Sequence, residues 1–125
     1  MVHGDKPRKN VLVIDDNPAM RGLLEIALQG LGYGVLTAQT GQEGLEIAGG
    51  QVVDAILLDL AMPDKSGLDV LEELKREERT GDIPVLLISG FANLVPPPQA
   101  QKASAVIQKP FRFSELQAQL RRLLS

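Results

Sequence analysis

Four stretches carry the side chains that could do chemistry together. Asp15 and Asp16 are adjacent and follow VLVI, Asp59 follows DAILL, Ser89 follows PVLLI, and Lys109 stands between AVIQ and Pro110-Phe111. Each polar group ends an apolar, β-branched run. In a doubly wound sheet the carboxyl ends of the strands gather on one edge, so three acids, one hydroxyl and one ammonium would converge there. Carboxylates ~4 Å apart repel by ~4 kcal/mol at an effective dielectric of about 20, so such a cluster persists only around a cation. A hard divalent ion suits it. Magnesium prefers oxygen ligands, keeps several waters, and takes one or two carboxylates together with phosphate oxygens. The charges of Asp15, Asp16 and Asp59 against Mg²⁺ and Lys109 sum formally to zero, so a phosphoryl group would enter a site with few unbalanced charges.

The elements that must position these groups alternate. Strands are predicted over 10–14, 35–38, 53–58, 84–88 and 105–108, most of them continuously apolar, as expected when helices cover both faces of a parallel sheet. The first helix opens near Pro18, a residue tolerated at a helix start, and is expected to turn Met20, Leu23, Leu24, Ala27, Leu28 and Leu31 inward before GLGYG ends it. A second helix over 41–48 is expected to stop at Gly49-Gly50, where glycine can turn left-handed. The third, over 67–78, repeats Leu68, Leu71 and Leu74 at helical spacing, and its EELKREER run reads as a solvated outer face. Ser114 is the expected cap of a last helix that faces Leu116, Leu120, Leu123 and Leu124 inward. Between Ser89 and Ala105 the run Pro96-Pro97-Pro98 removes donors and restricts each preceding residue. The fourth helix is therefore expected to be short or irregular, starting at or after Pro97, or missing.

Composition narrows the classes. A chain of 125 residues suits one domain, read here as a flexible tail over 1–9, with an inert His3, followed by a single domain over 10–125. The balance of 13 basic against 16 acidic residues leaves no electrostatic footprint for nucleic acid or an anionic membrane. Without cysteine there is no disulfide, thiolate nucleophile or zinc–thiolate site, which fits a cytoplasmic protein. No apolar run approaches the ~20 residues of a membrane span.

Taken together, VLVIDD, DAILLDLAMPDKSGLDVL, PVLLISG and QKPF resemble the receiver domain of bacterial two-component response regulators, over essentially the whole chain. The resemblance implies a flavodoxin-like five-stranded sheet in the order 2-1-3-4-5. It implies that Asp59 accepts a phosphoryl group from a histidine kinase or a phosphotransfer protein. It further implies that Asp15, Asp16 and Asp59 hold Mg²⁺ together with the backbone carbonyl of Ala61, while Ser89 and Lys109 bind phosphoryl oxygens. Such a domain is not an enzyme acting on a separate substrate, although it assists its own phosphorylation and dephosphorylation. Its output would pass to a downstream effector protein or domain, the receiver standing alone or forming part of a longer regulator or kinase.

The chain departs from that pattern at two places. Where the family usually has an aromatic residue, three before the strand-five lysine, this chain has Val106, a β-branched side chain that cannot make the aromatic's swing. Readout through Ser89 and the 90–104 segment is expected instead. Two residues beyond Asp59 and Ser89 stand Ala61 and Phe91, neither able to orient an attacking water, so slow loss of the phosphoryl group is expected.

Competing readings are weaker. Asp16 alone could be a helix cap, Ser89 alone a turn residue, and Phe111 and Phe113 are read as core packing. Met62-Pro63 and Gly67 read as residues that shape a turn. A flavodoxin-like electron carrier would hold its flavin phosphate on backbone amides after strand one, where DDNPAM repels an anion. A haloacid-dehalogenase-like phosphohydrolase would separate its two acids by one residue, whereas Asp15 and Asp16 are adjacent. A receiver-like scaffold that binds a partner without phosphorylation is the main alternative, kept open by Val106.

Overall fold

The computed structural model describes residues 8–62 and 65–124. Five strands alternate with helices: β1 (Asn10–Ile14), α1 (Pro18–Gly30), β2 (Gly34–Ala38), α2 (Gly41–Gly50), β3 (Ala55–Asp59), α3 (Gly67–Arg76), β4 (Val85–Ser89), α4 (Pro97–Lys102), β5 (Ala105–Gln108) and α5 (Phe113–Leu124). A 3₁₀ turn, Ala92–Leu94, precedes α4. All neighbouring strands are parallel and the sheet order is β2-β1-β3-β4-β5. This is the doubly wound, flavodoxin-like arrangement expected from the sequence.

Strand alternation divides the core in two. Leu12, Ile14, Ile56, Leu58 and Leu87 face Val70, Leu71 and Leu74 of α3 and Ala48 of α2. Val11, Val13, Leu57, Leu86 and Ile88 face Leu24 and Leu28 of α1 and Leu116 and Leu120 of α5. Every residue of β3 and β4 is buried, because both are interior strands with helices on each side. Chain order reverses on the two sides of β1, whose neighbours are β2 and β3, so the site edge lies at the switch point of the topology.

Several expectations are corrected. Helix α2 runs through Gly49 and Gly50, and Gln51 closes it in an extended conformation while its N–H donates to Ile47. Among the described glycines only Gly32, after α1, has positive φ (95°), so the left-handed stop lies there. Leu23 and Leu31 are 49% and 40% exposed; the inward stripe of α1 is narrower than its leucines suggested, and its fully buried residues are Leu24 and Leu28. Strand β3 begins at Ala55 because Asp54 bonds Asn10 twice, its N–H donating to Asn10 O and its carboxylate accepting from Asn10 N. Helix α3 ends at Arg76, two residues early, and the buried Thr80 hydroxyl donates to the Leu74 carbonyl at 2.6 Å. Ser114 lies within α5, not at its cap; Glu115 reaches back to accept from Arg112 N–H instead. Phe111 packs on the second cluster, but Phe113 is 41% exposed, meeting Phe111 edge-on at 6.1 Å. Helix α4 has six residues and starts at Pro97 as expected. Of the tail over 1–9, residues 1–7 lie outside the described residues, as does Pro63.

Candidate functional site

The acidic groups meet because three turns follow strand ends. Ile14 closes β1 and Asp15 follows it, 3% exposed, its N–H donating to Ala38 O of β2. Asp15 Oδ1 accepts from Asn17 N–H at 2.9 Å, and Asn17, not Asp16, caps α1 by accepting from Met20 N–H. That leaves the Asp16 carboxylate outside the capping arrangement. Asp59 ends β3 and is 4% exposed. One carboxylate oxygen from each of Asp15, Asp16 and Asp59 lies within 4.8 Å of the others.

Both oxygens of Asp59 have partners. Oδ1 accepts from Ala61 N–H at 3.1 Å, and Oδ2 pairs with Lys109 Nζ at 3.2 Å. Lys109 therefore reaches across β4 from the end of β5; the bond to Pro110 that follows it is cis. Gly67, the first residue of α3, explains part of this placement. A Cβ there would meet Leu60 Cα at 2.6 Å and Asp59 O at 2.7 Å, so only glycine lets α3 approach the turn after Asp59. Ser89 ends β4, 8% exposed, and its hydroxyl accepts from Phe91 N–H at 2.9 Å. Thus the turn role considered for Ser89 is present in addition to its place at the site edge.

Burial and repulsion leave their mark on Asp15. Its carboxyl is raised above the ordinary value, first by burial and then by the Asp59 charge and a hydrogen bond with Asp59, against the lowering effects of Asn17 N–H and Lys109. One ammonium does not balance three carboxylates. A divalent cation would complete the count, and oxygen donors at this spacing suit a hard ion such as Mg²⁺.

Sequence reasoning missed two neighbours. Arg21 Nη1 donates to the Asp15 carbonyl at 2.9 Å, bringing a guanidinium beneath the acidic edge. Gln108, one residue before Lys109, grips the backbone beyond Ser89. Asn17-Pro18 signalled the helix start near Arg21; no periodicity marked Gln108.

A parallel sheet in this order, with an acidic trio and a lysine at its carboxyl edge, defines a receiver-type α/β domain. The response regulator receiver domain family matches residues 11–121, and the chain belongs to that family. It is 38% identical over 116 residues to the "DNA-binding dual master transcriptional regulator RpaA" of Synechocystis sp., covering 91% of this chain and 48% of that protein. The crystal structure of response regulator TrrA from Thermotoga maritima, in complex with Mg²⁺-BeF, superposes with a TM-score of 0.85 at 33% identity, covering 93% of this chain and 99% of that one. A structure of TrrA in complex with histidine kinase ThkA gives a TM-score of 0.84 at 33% identity, covering 94% and 99%. The chain spans about half the length of the curated regulators it matches. Among the described residues no helix is long and apolar enough to cross a membrane.

Proposed function

We propose that Asp59 takes a phosphoryl group from a histidine kinase or a histidine phosphotransfer protein, in a Mg²⁺-dependent reaction, and that the change passes to a downstream effector. The observation that carries this reading is the Asp59 carboxylate itself: buried, held at one oxygen by Ala61 N–H and at the other by Lys109, beside two further acids. Asp15, Asp16, Asp59 and the carbonyl of Ala61 would hold the ion. When bound, Mg²⁺ supplies positive charge to the acids and to phosphoryl oxygens.

The chain's own groups account for the rest. An oxygen of ionised Asp59 attacks phosphorus, the P–N bond of the donor phosphohistidine breaks, and its electron pair returns to the imidazole. An acyl phosphate remains on Asp59. Lys109 moves its ammonium from the carboxylate to a phosphoryl oxygen, and the Ser89 hydroxyl donates to another; both roles are positioning and charge stabilisation. The TrrA complexes with Mg²⁺-BeF and with a kinase support the reading by similarity. On this reading the receiver spans 10–125, the tail 1–9 plays no part, and the protein is a phosphoacceptor that assists its own modification, working in the cytoplasm without direct contact to nucleic acid or membrane.

Readout differs from an aromatic switch. Val106 is partly buried and packs on the first core cluster with Val95 and Ala103, so no aromatic ring stands there to turn. The 90–104 segment takes that role. Amide exchange with and without beryllofluoride should show changed protection across 90–104, and unchanged protection would count against this route. Phosphorylation itself is tested by intact-mass spectrometry after acetyl phosphate and Mg²⁺. One phosphoryl adduct on the wild type and none on Asp59→Asn is expected; equal labelling of both would refute the assignment.

A further inference from the structure

We propose that Gln108 is a positioning residue, a latch that ties residues 90–92 to the end of β5 while Asp59 is unmodified and must open when Ser89 turns to a phosphoryl group. This deepens the phosphoacceptor reading of Asp59 and rests on it.

The two strands part beyond Ser89. Gln108 is the register partner of Ser89, and the last backbone bond between their chains runs from Lys109 N–H to Ser89 O at 2.8 Å. After it β4 enters the Ala92–Leu94 turn, while β5 meets Pro110, which has no N–H to offer. The Gln108 side chain continues the ladder in place of backbone. Its Oε1 accepts from Ala92 N–H at 2.9 Å, and its Nε2 donates to Gly90 O at 2.5 Å and to Lys109 O at 2.9 Å. Both ends of the amide are engaged. A hydrocarbon side chain at this position could make none of these bonds.

The coupling to Ser89 comes from peptide planarity. The Gly90 carbonyl and the Phe91 N–H belong to one rigid peptide unit. Gln108 holds that unit by its carbonyl, and Ser89 Oγ holds it by its N–H at 2.9 Å. If the Ser89 hydroxyl reorients toward a phosphoryl group on Asp59, the N–H loses its partner. The peptide unit can then find another arrangement only by rotating, and rotation pulls its carbonyl from Gln108. Phosphoryl engagement at Ser89 and closure of the latch therefore oppose each other, and opening frees the segment that leads into α4. Val106 leaves this chain without an aromatic switch, and the latch gives its β4–α4 segment two discrete arrangements by other means.

The test uses the full chain with Mg²⁺, beryllofluoride as the phosphoryl mimic, and the variants Gln108→Ala and Gln108→Glu. Removing hydrogen bonds that hold only the unmodified state should tighten beryllofluoride binding about three- to tenfold in Gln108→Ala, the weight of one net hydrogen bond. Gln108→Glu keeps an acceptor for Ala92 N–H but loses the donor to Gly90 O, so it should tighten binding while leaving Ala92 amide exchange slow. In Gln108→Ala, Ala92 exchange should quicken before any mimic is added. Unchanged or weaker beryllofluoride binding in both variants would overturn the latch, as would Ala92 exchange indifferent to Gln108→Ala. A wild type that binds Mg²⁺ but no beryllofluoride would instead overturn the phosphoacceptor reading, and the latch's role with it.

Discussion

Lys109 Nζ and Asp59 Oδ2 lie 3.2 Å apart although fifty positions separate them in the chain and β4 runs between their strands. The Lys109 side chain is 31% exposed while that of Asp59 is 5% exposed, so the ion pair opens to solvent from the lysine side. A group entering there meets a cation first and a buried nucleophile behind it.

With one lysine against three acids, the metal-free site is under repulsion. Asp15→Asn keeps an oxygen for Asn17 N–H and removes one charge, so it should raise stability in the presence of a chelator by on the order of 1 kcal/mol. Millimolar Mg²⁺ should then stabilise the wild type and not the variant. Urea denaturation with chelator and with Mg²⁺ checks both; a variant less stable than the wild type in chelator would contradict the repulsion argument.

The raised Asp15 carboxyl gives the site a pH dependence. Its folded form holds a proton more tightly than the unfolded chain does, since burial outweighs its favourable bonds and Asp59 adds repulsion. The stability this group contributes without metal is thus fully present below the ordinary carboxylate value, and is lost as pH rises through its raised folded value. Magnesium needs the charged form. Mg²⁺ affinity should therefore strengthen as pH rises through that raised value, at higher pH than an ordinary aspartate would give. Calorimetric Mg²⁺ titrations at several pH values would show it, and affinity that stays flat down to the ordinary range would not be compatible.

Gly67 and Gly49 make a paired test of packing. Gly67→Ala would drive a methyl against the backbone of Leu60 and Asp59, costing about 1–3 kcal/mol and slowing labelling by acetyl phosphate through displacement of Asp59. Gly49 lies inside α2 with nothing within 4 Å of an added Cβ, so Gly49→Ala should stabilise by about 0.5–1 kcal/mol with labelling unchanged. Thermal unfolding and labelling rates of the two variants should move in these separate ways.

Once formed, the acyl phosphate should persist. Phe91 is an apolar residue, 70% exposed, and the Ala61 side chain is a methyl, so neither orients a water for attack at phosphorus. Phe91→Gln should hasten loss of the phosphoryl group several-fold relative to the wild type, followed by mass spectrometry over time. Equal lifetimes would remove the argument.

Groups whose position follows from strand direction were legible in the sequence. Asp15, Asp59 and Ser89 each end an apolar run and Lys109 directly follows β5, and parallel strands bring such ends to one edge whatever the helices do. The proline run likewise foretold the short α4, because missing donors act locally. What stayed hidden depends on contacts between distant segments. Leu23 reads as core by spacing, yet α1 needs only a narrow stripe against β1 and β2. Gly49-Gly50 reads as a stop, yet no left-handed residue is required where Gln51 turns away extended. Ser114 and Asp16 are good caps by type, but Glu115 and Asn17 reach the free N–H groups. Gln108 shows the limit most clearly, since a polar residue at a strand end has no pattern, and its meaning lies in Gly90 and Ala92 across the sheet.

The central claim is that the chemistry occurs on Asp59. Borohydride reduces an acyl phosphate of aspartate to homoserine, so treatment with acetyl phosphate and Mg²⁺, then borohydride, then peptide sequencing, locates the modified carboxyl directly. Homoserine at position 59 and nowhere else is the expected result. Homoserine at Asp15 or Asp16, or none in a chain shown to bind Mg²⁺, would contradict it.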